Sequence, residues 1–480
     1  MKITKIQIKH FRAFQGEYEI NLFEGRNLLV YGENGSGKSS LYQALNLFLA
    51  PATPFADQKN IFVVTDDGFV RLEIGDGTNP TRIYEWEQAS HPFAQAIIAE
   101  AAKTKGFFDY RALLETHFIH RRADSVNIFD LLINSVLANT MNPITGSTLS
   151  SEWSTIQQTL VQTRSQRRDQ RQDELLSDFN LGLTNILTGV TDGANQVLAA
   201  FDQNLSVQLA LPPSGLVLNQ KRKSIDAPAI LLTATYFATP LTGHHQFLNE
   251  ARLSAIALSI YLSALLLNPP SQLRVLFLDD VLIGLDMSNR LPLLDVLKQH
   301  FDDWQIILTT YDRVWFEMVR LGVMGQTPKW TVVEFFCEKT SDGDLPVYQQ
   351  NKDFLEVAHE HLNRHDLKAA AIYIRSAYEV ALKRFCDKHD LAVRYCQNSK
   401  NQTSEDFWQV VKVQKFKTGG DVLSPTRISE IELYRASVLN QLSHTAPVSL
   451  VHAEVNNAYS AVDQLKRELE GIVKGTLART

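Results

Sequence analysis

The sequence predicts an α/β region with a mixed sheet, followed by an all-α region. Three observations support this fold class. Residues 32–39 form a glycine-rich turn between the apolar run Leu28–Tyr31 and a helical stretch that starts at Leu41. A second apolar run, Val275–Leu278, is continuous, as a buried strand of a parallel sheet is, and two aspartates follow it. From Phe354 onward the apolar spacing is mostly helical.

The composition is that of an ordinary soluble globular protein. Of its 480 residues, 44% are hydrophobic and 21% charged, and this length accommodates two or three domains. The formal net charge of −6 argues against a generally basic protein that coats nucleic acid. Local basic patches remain compatible with this charge, because net charge says little about a single groove.

Cysteine usage and hydropathy predict a cytoplasmic protein without a membrane segment. The cysteines, Cys337, Cys386 and Cys396, are widely spaced, which fits free thiols in a reducing cytosol and gives no zinc motif. The N-terminal residues alternate between polar and apolar and lack the apolar core of a signal peptide. The longest apolar stretch, Leu253–Leu267, contains serine and tyrosine and is too short to cross a bilayer.

Strand patterns dominate the first 90 residues, and helical patterns follow. The runs that predict strands are Ile3–Ile8, Leu28–Val30, Ile61–Val64 and Phe69–Ile74. From Phe93 to about Ala138 the spacing is helical, and residues 150–202 form a polar helical segment. The arginines of this segment either cover a solvated helix face or contact nucleic-acid phosphate: Arg164, Arg167, Arg168 and Arg171.

Strands and helices then alternate up to a boundary near Gln350. The predicted strands are Leu205–Leu211, Gly215–Lys221, Ile230–Thr235, Val275–Leu278, Gln305–Thr309 and Trp330–Phe336. Two helices are predicted in the same region. One starts at about Asn249, and the other spans Arg290–Phe301. The turn residues Ser341–Asp344, with Pro346 close behind, indicate the boundary.

The turn at residues 32–39 has the spacing of a phosphate-binding loop. Its glycines let backbone N–H groups surround a β-phosphate, and the helix N-terminus adds partial positive charge. Lys38 then reaches the β- and γ-phosphates, and the Ser39 hydroxyl is placed to bind Mg²⁺. The sequence therefore predicts ATP and Mg²⁺ as ligands. The residues expected to bind the nucleotide are Gly32, Asn34, Gly35, Gly37, Lys38, Ser39 and Ser40.

The two acids after Leu278 are the expected second half of this site. Asp279 can hold Mg²⁺ through water, the usual mode for a hard cation with few protein ligands. Asp280 can orient the attacking water near the γ-phosphate and so act as the catalytic residue. A pair of acids after a strand is common by itself, so the prediction depends on its combination with the loop.

From these motifs, residues 1–340 resemble the ABC-type ATPases of the SMC/RecF/RecN group. The start of the chain, Ile6–Arg12, supports the resemblance, as does Gly284-Leu285-Asp286, which looks like the family's D-loop. The resemblance implies an ATPase head at residues 1–345. It also implies a homodimer or higher oligomer that sandwiches ATP between heads, with Asp286 near the nucleotide.

The segment that would cap the partner's nucleotide resembles the family signature with two departures. It spans Leu248–Ala255, and Asn249 stands where serine is usual, while Ala251 stands where glycine is usual. An asparagine can still donate a hydrogen bond to a γ-phosphate. Dimerisation is therefore an expectation of the resemblance, with Asn249 as a nucleotide ligand.

Three further positions depart from the family pattern. Asp280 replaces the usual glutamate, Tyr311 occupies the place of the switch histidine, and His120 stands where the Q-loop glutamine is expected. Together they suggest slow turnover, with ATP as a conformational switch. The alternatives are neutral drift with ordinary activity and, for His120, a helix-cap or core role.

The helical insert at residues 150–202 is long enough for one helical hairpin and lacks the long coiled coils of SMC proteins. This argues against a role in chromosome-scale tethering. The chain is closer to RecF-like heads and to compact ATPases of phage defence.

Residues 352–480 fall outside the ATPase resemblance and predict a separate helical domain. A helix at Asp366–Lys388 places Arg375 and Glu379 four residues apart, on one face. Asn440–His444 follows much later, before the final helix. These segments resemble the HEPN-type ribonuclease domain of ABC-ATPase-linked anticodon nucleases, which need no metal.

The resemblance implies catalytic roles for three residues of this domain. His444 would act as general acid or base, Arg375 would stabilise charge on the phosphate, and Glu379 would orient Arg375 or share the proton transfer. The alternative is structural, because an Arg–Glu pair at this spacing is an ordinary surface ion pair. Ser-His-Thr before proline is likewise an ordinary capping sequence.

Three functions fit the whole sequence. The first is an anti-phage defence enzyme in which the ATPase controls a C-terminal ribonuclease acting on tRNA-like RNA. The second is an ATPase sensor that docks a separate effector protein, such as a nuclease, through residues 352–480. The third is a RecF/RecN-like DNA-repair ATPase. Nucleic acid, either RNA or DNA, is an expected partner in the first and third.

Overall fold

The computed structural model describes most of the chain and divides it into two compact units, Met1–Gln350 and Asn351–Thr480. The described residues are 1–51, 53–76, 81–109, 127–162, 170–219, 224–225, 228–241, 243–281, 285, 287–323, 330–340, 343–350, 354–394, 402–439 and 450–478. Three residues that the sequence predicts to be functional lie outside them: His120, Asp286 and His444.

The first unit contains both strands and helices. Its strands are β1 (Lys2–Phe11), β2 (Phe14–Asn21), β3 (Asn27–Gly32), β4 (Phe69–Gly75), β5 (Arg82–Glu87), β6 (Gly106–Asp109), β7 (Leu205–Ala210), β8 (Leu218–Asn219), β9 (Ser224–Ile225), β10 (Leu231–Tyr236), β11 (Thr239–Leu241), β12 (Val275–Asp279), β13 (Gln305–Thr310), β14 (Trp330–Thr340) and β15 (Gly343–Gln350). Its longer helices are α1 (Lys38–Phe48), α2 (Ala96–Thr104), α3 (Leu149–Gln162), α4 (Gln170–Phe201), α5 (Glu250–Leu266), α6 (Met287–His300) and α7 (Arg313–Val323).

Among the described residues, the largest sheet has six strands in the order β15-β14-β3-β13-β12-β6. The pairs from β14 to β6 are parallel, and only the edge pair β14–β15 is antiparallel. The strands β12 and β13 are buried along their whole length, as strands covered on both faces are. The mixed α/β class predicted from the sequence is thus confirmed for the first unit.

A second, antiparallel sheet of the described chain covers one side of α1. Its order is β2-β1-β4-β5, and β1 directs Ile3, Ile6 and Ile8 into the core. Helix α1 buries Leu41, Leu45 and Phe48, which follow the three-to-four-residue spacing of one helical face. The helix therefore lies in a core shared by both sheets, with its N-terminus at the end of β3.

Helix α5 lies in the core on the other side of the large sheet. All its residues from Leu253 to Leu265 are buried, which explains why its apolar pattern has no polar face. The long helix α4 packs against it, and Ser263 Oγ donates to the Val190 carbonyl at 2.9 Å. A Cβ at Gly193 would lie only 2.2 Å from Ser263 Oγ, so glycine allows this close approach.

Two sequence-based assignments are wrong. Ile61–Val64 was expected to be a strand because it is apolar, but it forms no strand, and Ile61 and Val64 are 88% and 92% exposed. The interval from Phe93 to Ala138 was expected to be helical, yet it contains β6. This strand has only four residues, too few for its periodicity to stand out, and its pairing with β12 defines it.

The second unit is helical in its described parts, as the sequence predicts. Its helices are α8 (Phe354–Asn363), α9 (Leu367–Lys388), α10 (Ser404–Val411), α11 (Pro425–Tyr434) and α12 (His452–Gly471). Helix α9 buries Ala370, Ile374 and Tyr378, and the Asp366 side chain caps it by accepting a hydrogen bond from Ala369 N at 3.1 Å. None of the described helices of the chain is long and apolar enough to cross a membrane.

Candidate nucleotide site

The sheet order brings three distant segments to one edge. Strand β13 pairs in parallel with both β3 and β12, so the carboxyl ends of all three strands lie side by side. The phosphate-binding loop follows β3, the pair Asp279–Asp280 ends β12, and Tyr311 follows β13. The structure therefore brings together the loop and the two acids at one edge of the sheet.

Glycine geometry shapes the loop after β3. Gly35 and Gly37 have positive φ values of 86° and 101°, which residues with side chains rarely adopt. A Cβ at Gly32 would lie 2.3 Å from Ser36 Oγ. The loop then enters α1 at Lys38, so the free N–H groups of the first helical turn face the loop, as an anion-binding site requires.

Lys38 is held across the loop. Its Nζ donates to the carbonyl oxygens of Gly32 and Glu33 at 2.6 and 3.2 Å and lies 3.5 Å from Asp280 Oδ2. The lysine is only 5% exposed. Its charge is therefore compensated by this carboxylate and by backbone carbonyls, groups that compete with phosphate for the ammonium.

Ser39, Asp279 and Thr309 form an oxygen-rich group, in which Asp279 and Thr309 are buried and Ser39 is exposed. Ser39 Oγ donates to Asp279 Oδ2 at 3.1 Å, and Thr309 Oγ1 donates to Asp279 Oδ1. Burial, with a smaller contribution from Asp280, raises the pKa of Asp279 to about 6. A hydroxyl and a carboxylate at this separation are hard oxygen donors that fit Mg²⁺. The donor set thus fits the metal that the sequence predicts.

Asp280 adopts a left-handed backbone conformation, with φ 52°. Such a conformation is uncommon for a residue with a side chain and is often found at functional sites. Its Oδ1 accepts a hydrogen bond from Tyr311 N at 3.0 Å, while Oδ2 faces Lys38. Burial raises the pKa of this carboxyl as well.

A cavity of about 560 Å³ opens beside these groups. The loop residues Asn34, Gly35, Gly37, Lys38, Ser39 and Ser40 line it together with Ala13, Asp280 and Tyr311. Ala13 also lines a neighbouring cavity of about 410 Å³, with Arg12, Asn60 and Phe62 among its walls. The sequence motifs gave Ala13, Asn60 and Phe62 no role, and Arg12 entered only as the last residue of the motif Ile6–Arg12. That motif ends directly before Ala13, which lines both cavities, so it was the sequence feature that could have indicated them.

Asn249 lies at the start of α5 and is not among the residues that line the described cavity. Its Oδ1 accepts a hydrogen bond from Arg252 N at 3.0 Å, so it caps the helix. Arg252 in turn contacts Asp202 Oδ2 at 2.9 Å and Tyr236 OH at 2.7 Å. The predicted signature segment is therefore attached to the end of α4 and to β10.

In the second unit, Arg375 and Glu379 lie against each other on α9. Arg375 Nε is 3.0 Å from Glu379 Oε1, and Arg375 Nη1 donates to the Leu439 carbonyl at 3.3 Å. About a third of each side chain is exposed. Leu439 precedes the segment 440–449, which carries His444 and lies outside the described residues.

Comparisons with known proteins agree with an ATPase domain in the first unit. Residues 1–142 match a family model described as an AAA ATPase domain. This match and the loop geometry around Lys38 point to the same chemistry. None of the curated proteins matches the chain.

Similar solved structures include heads of SMC proteins and RecF. An Smc head bound to the C-winged helix domain of ScpA is 12% identical, with 74% of this chain and 100% of that chain covered and a TM-score of 0.45. The SMC head domain from Thermotoga maritima is 13% identical, with 72% of this chain and 98% of that chain covered and a TM-score of 0.35. The recombination mediator RecF with ATP is 13% identical, with 73% of this chain and 98% of that chain covered and a TM-score of 0.43. TM-scores below 0.5 carry no functional argument.

We predict that Lys38→Met weakens ATP binding at least tenfold, about 1.4 kcal/mol, because the charge facing the phosphates is lost. The measurement is calorimetric titration with ATP and Mg²⁺. Lys5→Met is the matched control, since Lys5 forms an ion pair with Glu73 on the antiparallel sheet. Unchanged affinity in Lys38→Met would contradict the assignment of the loop.

We predict that Asp279→Asn raises the unfolding midpoint of the metal-free protein by about 2 °C or more, because it removes a buried charge while Ser39 and Thr309 keep a polar partner. The same variant should lose the stabilisation that Mg²⁺ gives the wild type in the presence of nucleotide. Thermal unfolding with and without Mg²⁺ measures both effects. Asp303→Asn, at an exposed position, is the control. Equal stabilisation by Mg²⁺ in Asp279→Asn would exclude Asp279 as a ligand.

Proposed function

We propose that this protein is an SMC/RecF-like ATPase that binds ATP with Mg²⁺ and hydrolyses it slowly, so that nucleotide acts as a conformational switch. The observation that carries the proposal is the position of Asp280. This residue connects the loop lysine Lys38 to the backbone of Tyr311, so all three respond when a nucleotide enters the cavity.

Each residue of the site has a distinct task in this proposal. The loop amides and Lys38 bind the phosphates, and Ser39 and Asp279 hold the metal. Bound Mg²⁺ supplies positive charge to the phosphate oxygens. Asp280 orients water, and its side chain is one methylene shorter than the glutamate that this position usually carries in the family it resembles. The shorter reach is the reason to expect slow turnover.

We further propose that heads pair as a homodimer or higher oligomer. The Asn249 carboxamide uses its oxygen for the helix cap, so the contact with Arg252 does not consume its N–H₂ group. That group and the N-terminal end of α5 are suited to the phosphate of a nucleotide held by a second copy. Cytoplasmic localisation belongs to the same proposal.

We predict that Asp280→Asn lowers kcat for ATP hydrolysis at least 100-fold while ATP still binds, because the amide cannot accept a proton from water. Asp280→Glu should hydrolyse ATP several-fold faster than the wild type, since it restores the longer carboxylate. Steady-state phosphate release measures both rates. A slower Asp280→Glu would show that side-chain length does not limit turnover. Repeating the assay with DNA tests the DNA-repair function, which requires stimulation.

The second candidate function is a metal-independent ribonuclease in the C-terminal unit, controlled by the ATPase in anti-phage defence. The contact between Arg375 and the Leu439 carbonyl favours it, because Leu439 is only five residues from His444 along the chain. An extended chain of five residues spans about 18 Å at most, which is the upper limit that the covalent chain sets on the separation of Leu439 and His444. In this proposal His444 transfers protons, and Arg375, oriented by Glu379, binds the reacting phosphate.

We predict that cells expressing the intact chain accumulate discrete tRNA fragments, and that Arg375→Ala and His444→Ala abolish them because charge stabilisation or proton transfer is lost. Denaturing gels of total small RNA provide the measurement, and Lys38→Ala shows whether ATP permits or restrains cleavage. Arg467→Ala is the control, since Arg467 forms a similar i,i+4 pair with Asp463 on α12. Fragments that persist in His444→Ala would refute the nuclease. Absent fragments in every strain would favour the unit as a docking module for a separate effector.

A further inference from the structure

Arg290 is a buried arginine that belongs neither to the phosphate-binding loop nor to the pair Asp279–Asp280. It lies in the first turn of α6 and is 9% exposed. Its Nε donates to the Leu285 carbonyl at 2.6 Å, and its Nη1 lies 2.5 Å from Asp312 Oδ2. One guanidinium therefore joins the chain after β12 to the chain after β13.

Asp312 is itself fixed by several groups. Its Oδ1 accepts hydrogen bonds from Val314 N and Trp315 N at 2.9 and 3.0 Å, which caps α7. Its own N–H donates to Thr310 Oγ1 at 3.1 Å. Burial raises the pKa of Asp312, but the hydrogen bond from the Trp315 amide and the contact with Arg290 outweigh it and leave the pKa below its usual range. The carboxylate is therefore charged at neutral pH and pairs with Arg290 as an ion.

Tyr311 connects this ion pair to the nucleotide cavity. It precedes Asp312 directly, lines the cavity, and donates its backbone N–H to Asp280 Oδ1. A change at Asp280 that moves the Tyr311 N–H displaces the peptide plane between Thr310 and Tyr311. Asp312 is linked to this unit both through the chain and through the hydrogen bond from its N–H to Thr310 Oγ1, so the displacement can be passed to it. Through Arg290, that movement reaches Leu285. The hydrogen bonds and the peptide link between Tyr311 and Asp312 form a contiguous network, which is one physical route for coupling between sites.

We propose that Arg290 is a positioning residue that transmits the state of the nucleotide cavity, read by Asp280 and Tyr311, to Leu285, which follows β12 in the chain. This inference rests on the proposed function, since it requires that a nucleotide binds beside Lys38. Arginine is suited to the task because its planar fork presents donors to two acceptors at fixed geometry. Lysine keeps the charge but cannot reproduce the fork.

The alternative is that Arg290 only stabilises the fold. A structural ion pair of this kind would lower the unfolding midpoint when removed but would leave nucleotide responses intact. The test must therefore measure transmission and not stability alone. It must also detect nucleotide binding separately from its consequence.

The experiment is hydrogen exchange of the full chain with and without Mg²⁺ and a non-hydrolysable ATP analogue. In the wild type we expect slower exchange in peptides covering residues 305–316 and also in peptides covering 285–292. In Arg290→Lys the protection of residues 305–316 should persist, and the protection of residues 285–292 should fall at least threefold. Analogue affinity should stay within twofold of the wild type, and kcat should fall about tenfold at unchanged KM.

Arg313→Lys is the matched control. Arg313 is the residue after Asp312 and pairs with Glu317 and Glu334, with a side chain that is 48% exposed. It should show wild-type protection in both peptides. Asp312→Asn removes the charge on the other side of the pair and should reproduce Arg290→Lys, which keeps the test decisive if one variant does not fold.

Two results would overturn the inference in distinguishable ways. Protection of residues 285–292 that persists in Arg290→Lys and Asp312→Asn would exclude the coupling while leaving the nucleotide site intact. Absence of protection at residues 305–316 in the wild type would refute the proposed nucleotide site, and with it the signal that Arg290 is inferred to transmit.

Discussion

The nucleotide site depends on the parallel pairing of β13 between β3 and β12. This pairing aligns Tyr31 with Thr310 and Asp279 with Thr309, so the end of β3 lies level with the ends of β12 and β13, which follow it by more than 240 residues in the chain. A shift of one residue in the register between β12 and β13 would turn Asp279 to the opposite face of the sheet. The antiparallel sheet and α5 cover the two sides of this layer and keep its strands buried. Packing far from the site therefore fixes the distances within it.

The site concentrates charge in a place that folding alone does not favour. Lys38 and Asp279 are 5% and 3% exposed, and burial raises the pKa of both acids of the pair. Buried charges are costly unless they are paired and hydrogen-bonded. Here the pairing is internal, between Lys38 and Asp280 and between Asp279 and two hydroxyls. Such an arrangement is typical of a site whose charges are completed by a ligand.

Sequence patterns could predict the parts of the site that are local. The loop at residues 32–39 and the run Val275–Asp279 are short, contiguous signals, and their strands and helix form where the patterns indicate. The failures have physical causes too. Ile61–Val64 has strand-like composition, but no strand among the described residues pairs with it, and Ile61, Phe62 and Val64 are exposed. Strand β6 is defined by its partner β12 and not by its own four residues.

Sequence patterns could not predict the contacts between residues that are distant in the chain. Nothing in the spacing of Arg290 and Asp312 indicates that they meet, because the contact requires α6 and the end of β13 to be placed by the sheet. The positive φ of Asp280 is equally invisible in sequence, since aspartate occurs mostly in other conformations. In the second unit, the spacing of Arg375 and Glu379 predicts a shared helix face, but the contact with Leu439 needed the folded structure.

The conformation of Asp280 explains why a nucleotide should change this structure and not merely occupy it. A residue with a side chain held at positive φ costs about 1 kcal/mol or more, which the surrounding contacts must offset. Two of these contacts are the carboxylate's interactions with Lys38 and with Tyr311 N. Lys38 cannot keep its contact with Asp280 unchanged and also bind a γ-phosphate, because both compete for the same ammonium. Binding therefore removes part of what holds Asp280 in its strained conformation. The released carboxylate must then find new partners, and the segment from Thr309 to Asp312 is the part of the protein directly attached to it.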